Sequence, residues 1–110
     1  MISDQLLTAT VAYLNQAMTH IGVGNGAGPD TDDVVLADEL LRKTATSYID
    51  GNTVIKEIYI DETELNGEDL SAVGLYGDNN TVLFAGGGIS QQKDAGESLT
   101  ISVEISVERT

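Results

Sequence analysis

Apolar residues recur along this chain with two periods, and the change of period divides it. From Ser3 to Met18, Leu7, Val11, Leu14 and Met18 fall at i, i+4, i+7 and i+11, which predicts an amphipathic helix. Leu6 and Tyr13 widen the stripe, and Ala9, Ala12 and Ala17 keep the helix slim. Ser3 suits the N-cap, and Asp4 behind it favours the positive helix end. Thr19 to Val23 reads as a short strand, and Gly24 to Asp30, with three glycines and the single proline, as an irregular loop. Leu36 to Lys43 reads as a short helical turn or an extended link. Leu36, Leu40 and Leu41 then face inward, and Asp38 and Glu39 precede Arg42 and Lys43 in the order a helix dipole favours.

From Thr44 onward the pattern is that of strands. Thr44–Ile49 and Thr53–Asp61 form a hairpin around Asp50-Gly51-Asn52, with Val54, Ile58 and Ile60 sharing one face with Lys56. Glu62 to Asp69 is polar and reads as an exposed loop. Leu70 to Ala85 predicts a second hairpin around Gly77-Asp78-Asn79-Asn80, residues that tolerate positive φ. Both of its arms are apolar on both faces, which places it centrally and not at a sheet edge. Gly86-Gly87-Gly88 is expected to break order and to open a second loop reaching Glu97. Leu99, Ile101, Val103, Ile105 and Val107 then alternate with polar residues, a strand of about 30 Å at ~3.3 Å per residue that needs a long partner. The expected fold is mainly β: an N-terminal helix over 1–19, then an antiparallel sandwich or barrel-like sheet of five to seven strands over 20–110, in one domain.

Composition narrows the function. Eighteen acidic residues face five basic ones, a net charge of −13. Such a surface repels nucleic acid and anionic lipid, so neither is expected as a partner. It suits a solvated acidic face, or a protein adapted to high salt in which ions screen self-repulsion. No apolar run approaches the ~20 residues of a membrane span, and no basic segment followed by an apolar run suggests a signal peptide.

Reactive groups are few. There is no cysteine, and His20 is the single histidine, so a two-histidine metal site is excluded; His20 reads as a surface or boundary residue. The glycine-rich run from Gly22 to Gly28 lacks the Lys of a phosphate loop and is followed by Pro29 and three aspartates. Asp30, Asp32 and Asp33 do not continue as a calcium loop, because Val35 and Leu41 stand where that loop needs Gly and Glu. No Gly-x-Ser-x-Gly elbow occurs. No catalytic residue, metal ligand or cofactor site is therefore expected, and the protein is not expected to be an enzyme.

Three spaced pieces carry a resemblance. The first is Ile21-Gly22-Val23-Gly24-Asn25-Gly26, then Pro29, Asp32 or Asp33, Leu36-Ala37-Asp38-Glu39 and Arg42. The second is Ala72-Val73-Gly74-Leu75-Tyr76, an Asn-rich turn, and Val82-Leu83-Phe84-Ala85; the third is the terminal alternating strand. Together they resemble a domain of tail fibre, baseplate and related structural proteins of tailed viruses, over residues 20 to 108. In that domain a Glu usually stands where this chain has Ala72. The resemblance implies a virion component, made in the host cytoplasm, that forms a trimer or ring and docks on other virion proteins. For a chain of this length it implies an adaptor, collar, turret or decoration piece, and with the acidic surface a virus of halophilic archaea. A capsid decoration or turret protein, and a soluble carbohydrate- or cation-binding module, are the alternatives. Assembly contacts are expected from Leu7, Val11, Leu14 and Met18 on the helix and from Leu75, Tyr76 and Phe84 on the hairpin.

The charge makes one expectation measurable. In a salt series, the melting temperature is expected to rise between low and molar salt as the self-repulsion is screened; a flat response contradicts salt adaptation.

Overall fold

The computed structural model describes residues 1–108; the last two residues of the expected 1–110 domain lie outside the described residues. One helix precedes seven antiparallel strands in two sheets that do not close into a barrel. The helix is α1 (Asp4–Ala17), and β1 (Met18–Gly24) follows it directly. Then come β2 (Glu39–Thr44), β3 (Thr46–Asp50), β4 (Thr53–Ile60), β5 (Glu68–Gly77), β6 (Val82–Lys93) and β7 (Leu99–Ser106). One sheet has the order β2-β1-β5-β6 and the other β3-β4-β7.

The helix is capped as its sequence predicts, with the Ser3 hydroxyl accepting the Leu6 N–H at 3.2 Å. It touches β1 of one sheet and β3 and β4 of the other, so it bridges the two. Its expected stripe is corrected at two points. Met18 adopts extended backbone and enters the core as the first residue of β1, not from the helix. Leu6 and Tyr13 do not widen the inward stripe; Val11 is its buried centre, and they point outward.

The hairpins form where turn residues allow. Gly51 takes φ 60° between β3 and β4. Asp78, Asn79 and Asn80 take φ 52°, 62° and 65° in succession between β5 and β6, a conformation Asn and Asp tolerate better than most residues. The inward faces meet in one core drawn from both sheets: Met18, Ile21 and Val23 of β1, Leu70 and Leu75 of β5, and Ile58, Ile60 and Ile101 opposite. The alternating C-terminal strand pairs with β4 from Ile60↔Leu99 to Thr53↔Ser106.

Other expectations are overturned. Of the two readings of Leu36–Lys43 the extended one holds and the helical turn does not: Glu39–Thr44 is β2, paired along β1, and Leu40, expected to face inward, is exposed at 37 %. Glu68 and Asp69, expected in a loop, already pair with Lys93 and Gln92 respectively. The Gly86-Gly87-Gly88 run does not break order, because β5 supplies it with a continuous partner over Gly74↔Gly86, Val73↔Gly87 and Ala72↔Gly88. Finally, β6 is an edge strand. The apolar outer face of β5 is covered by the chain's own 25–38 segment, not by a strand beyond β6. In that cover Leu36 packs with Ala72, Tyr76 and Leu83, and Pro29 sits over Gly86.

The glycine run gives a paired test. A Cβ at Gly86 would stand 2.7 Å from Pro29 Cγ and 2.8 Å from the Val73 carbonyl oxygen, whereas one at Gly87 meets nothing within 4 Å. Gly86→Ala is expected to cost about 1–3 kcal/mol by overpacking. Gly87→Ala is expected to be neutral or to gain up to about 1 kcal/mol from the glycine entropy removed. Urea unfolding of the two variants checks both, and equal effects contradict the packing of Pro29 on Gly86.

Candidate functional site

The spaced motif residues converge on Tyr76. Its ring is completely buried. The Arg42 guanidinium lies over it, 3.6 Å from the ring centroid, and its hydroxyl accepts the Leu36 N–H at 2.9 Å. Glu39 holds the guanidinium from the side through two bonds, Nε to Oε1 at 3.1 Å and Nη2 to Oε2 at 2.8 Å. Arg42 Nη1 also donates to the Asn80 carbonyl at 2.7 Å, which ties β2 to the β5–β6 turn. Residues three apart in a strand face opposite sides, so this pair needs an irregularity. Val23 pairs with Leu41 and Gly24 with Glu39, which leaves Leu40 as an extra residue and brings Glu39 and Arg42 to one side.

The glycines make room for this node. A Cβ at Gly22 would strike the Glu39 carboxylate and the Tyr76 ring, and one at Gly24 or Gly26 would stand 2.7 Å from the carbonyl oxygen of Asp38 or Ala37. The Gly-x-Gly-x-Gly pattern thus serves close backbone approach and not an anion. Burial pushes the Tyr76 hydroxyl above its ordinary value, with Glu39 adding to the rise. Burial alone would lower Arg42, but its bonds to Glu39 and the charge there outweigh it and hold it higher.

The other described cations are likewise tied inside the fold. Lys56, 2 % exposed, donates to the Asn15 carbonyl at 2.6 Å, joining the last turn of α1 to β4. Burial lowers its pKa. Lys93, 1 % exposed, donates to Asn66 Oδ1 at 2.8 Å. Lys43 bonds the Tyr59 carbonyl at 2.7 Å and the Glu64 carboxylate, and that bond holds Glu64 below its usual range. Each of these four cations reaches a backbone carbonyl, including Lys93 to Asp94 at 3.4 Å; Arg109 lies outside the described residues. Lys56 had a signal in its place on the apolar face of Val54 and Ile58; Lys93 had none.

Both ring nitrogens of His20 face threonine hydroxyls, Nδ1 to Thr19 at 2.8 Å and Nε2 to Thr44 at 3.1 Å. Among the described residues no group of three or more His, Cys, Asp or Glu side chains is placed to hold a metal ion. Among the described residues no helix is long and apolar enough to cross a membrane.

The seven residues expected to make assembly contacts divide sharply. Val11, Met18, Leu75 and Tyr76 are buried within the chain, and Leu7 and Leu14 are half-buried. Phe84 is exposed at 47 %, and the structure adds two residues to it: Tyr13 at 63 % and Leu6 at 55 %. Leu6 and Tyr13 lie seven apart on the outer stripe of α1, and Tyr13, Gln16, Ala17, Asp78 and Phe84 line one shallow depression of about 280 Å³. Phe84 reaches it because it is the extra residue of a bulge between Leu75↔Ala85 and Tyr76↔Leu83. No charged side chain occurs from Gln5 to Ala17 on the helix or from Asn79 to Gln92 around β6. The arrangement is a partly aromatic face with a single carboxylate, Asp78, in the lining of its depression, on an otherwise strongly acidic molecule, and it is suited to contact with another protein surface.

No protein-family model matches this chain, and no curated protein matches it.

The Tyr76 node has a signed pH dependence. Tyr76→Phe leaves the buried Leu36 N–H without its acceptor and is expected to cost about 1–3 kcal/mol at neutral pH. The folded hydroxyl ionises above its ordinary 10.0, so its contribution is full below pH 10 and falls as pH rises through the raised value. The stability gap between wild type and variant is therefore expected to narrow above pH 10 in urea melts. A gap that widens there contradicts the assignment.

Proposed function

We propose that this protein is a structural component of a tailed-virus particle, a tail, fibre, baseplate or collar piece that acts by assembling with copies of itself and with neighbouring virion proteins. The single observation that carries the reading is the exposed apolar face made by the outer stripe of α1 and Phe84, whose depression holds one carboxylate, Asp78. A molecule with 18 acidic residues places Leu6, Tyr13 and Phe84 in solvent on the elements that hold almost no charge. A solvated helix in so acidic a chain has no reason of its own to exclude carboxylates from its outer side. A helix that docks has one, because like charges on two copies repel across a contact. The tailed-virus assignment draws on the resemblance of the Gly-x-Gly, Leu-x-x-Glu, Arg and Val-Gly-Leu-Tyr pieces. It is supported by their convergence on one packing node, since residues that fasten a loop to a sheet must occur as a set.

Sedimentation of the purified chain at micromolar concentration tests the assembly. Wild type is expected as a defined oligomer, and Tyr13→Glu with Phe84→Glu as a species of lower mass. Both side chains are about half exposed or more, so the melting temperature of the double variant is expected to stay within a few degrees of wild type. Labelling the protein on intact particles then places it on tail or capsid. A wild type that stays monomeric in every salt and binds a glycan or cation contradicts the structural reading.

A further inference from the structure

The two sheets are unequal, and the difference leaves one side of the sandwich open. Four strands stand in the order β2-β1-β5-β6 and three in the order β3-β4-β7. β1 touches β4, and the inward residues Val73 and Leu75 of β5 share the core with Ile101 of β7. β6 therefore extends past β7 with no strand facing it. An apolar cleft of about 300 Å³ lies there, lined by Val73 and Leu75, by Ala85 and Gly87 of β6, and by Val103 and Ile105 of β7. Ala85, Val103 and Ile105 are half-buried. Gly87 pairs with Val73, so a side chain at this position would point inward, and an added Cβ meets nothing within 4 Å. The 25–38 segment lies on the other face of β6, where Gly28 and Pro29 rest, and lines no part of the cleft.

The backbone at this opening is the second, independent observation. The Val107 N–H bonds the Asn52 carbonyl, and the register runs on without a break from Thr53↔Ser106 to Ile60↔Leu99. Odd-numbered residues of β7 therefore bond β4, and the N–H and C=O groups of Thr100, Ser102, Glu104 and Ser106 point to the opening. No backbone bond to them occurs among the described residues. A bare strand edge beside an apolar cleft has both parts that strand addition uses: main-chain bonds for affinity and room for alternate side chains.

We propose that this opening takes an extended segment of another protein as a fourth strand beside β7, with apolar side chains at alternate positions and lysine or arginine between them. The apolar positions fill the cleft opposite Ala85 and Gly87, where β6 offers little volume of its own. Charge selects the others. Glu104 is the one charged residue lining the cleft, and it is exposed on the outer face of β7 among Thr100, Ser102 and Ser106. A cation on the added strand pairs with it across the new ladder. The described cations of this chain are already tied to carbonyls, and its net charge is −13, so a basic segment is drawn to it over the whole approach. A second copy is a poor donor. The inner face of its β7 is already covered by its own β5, where β6 of the first copy would have to lie, and it brings Glu104 toward its like. The inference goes beyond the α1 contact proposed above and does not depend on it.

The test is amide exchange of the full chain, read residue by residue, with and without a synthetic peptide of about eight residues alternating valine and lysine. The Ser102 and Glu104 amides are expected to slow about tenfold, while those of β3, the other edge of that sheet, keep their rates. A serine–lysine peptide lacks the apolar face and a valine–glutamate peptide lacks the cations, and neither is expected to slow these amides. Gly87→Leu, which fills the cleft from β6, is expected to weaken binding of the valine–lysine peptide about tenfold. Ser102 and Glu104 amides that keep their free rates at millimolar valine–lysine peptide overturn the proposal. Equal slowing by the serine–lysine peptide also overturns it, because the attraction is then to the acidic surface at large. Slowing that follows protein concentration without any peptide overturns it in favour of a second copy. If Gly87→Leu lowers the melting temperature, the wild-type amides alone decide. Sedimentation of the Tyr13→Glu, Phe84→Glu variant judges the α1 contact independently of all these results.

Discussion

The stacking of Arg42 on the buried ring of Tyr76 is the constraint on which the rest of this fold depends. It joins three parts of the chain that are distant in sequence: β2 through Arg42 and Glu39, the 25–38 segment through the Leu36 N–H, and the β5–β6 turn through the Asn80 carbonyl. With those ties made, Leu36 seals the outer face of β5, and Pro29 can rest on Gly86. Without them β5 would turn an apolar face to water. The sandwich therefore acquires a partial third layer made of a loop, and β5 is enclosed on both faces although its neighbour β6 is an edge.

The same logic governs the charges. A cation can screen a neighbouring carboxylate at the surface or bond a carbonyl inside, and in this chain each described cation reaches a carbonyl. Lys56 and Lys93 are almost wholly buried, and Arg42 and Lys43 fasten β2 to its surroundings. The solvated surface is thus left nearly to carboxylates. That has two consequences with one cause. Self-repulsion is high in dilute salt, and two copies would approach at least Coulomb cost where acids are fewest, on the outer side of α1, which carries no charge from Gln5 to Ala17.

Local patterns made much of the fold legible. The helical period, the N-cap Ser3, the turn residues Gly51 and Asp78-Asn79-Asn80, and the alternation from Leu99 to Val107 each depend on neighbours in sequence, and each element formed as expected. What depended on distant partners was less legible. The triple glycine reads as a break until β5 is known to lie beside it. Leu36–Lys43 reads equally as a helical turn or an extended link until its pairing with β1, with a bulge at Leu40, places Glu39 and Arg42 together. Leu6 and Tyr13 belong to the helix period, but only the position of both sheets shows that their stripe faces water. The expected contact residues on β5 failed for the same reason: an apolar face can be covered by a loop of its own chain as well as by a partner, and here Tyr76 lies under Arg42.

Hydrogen exchange of the Leu36 amide tests the central claim most directly, because that N–H bonds the buried Tyr76 hydroxyl at 2.9 Å. If the Arg42–Tyr76 stack holds the 25–38 segment on the sheet, this amide will be slow in wild type and fast in Arg42→Met, with the amides of β4 unchanged. Equal, slow exchange of the Leu36 amide in both proteins would contradict it.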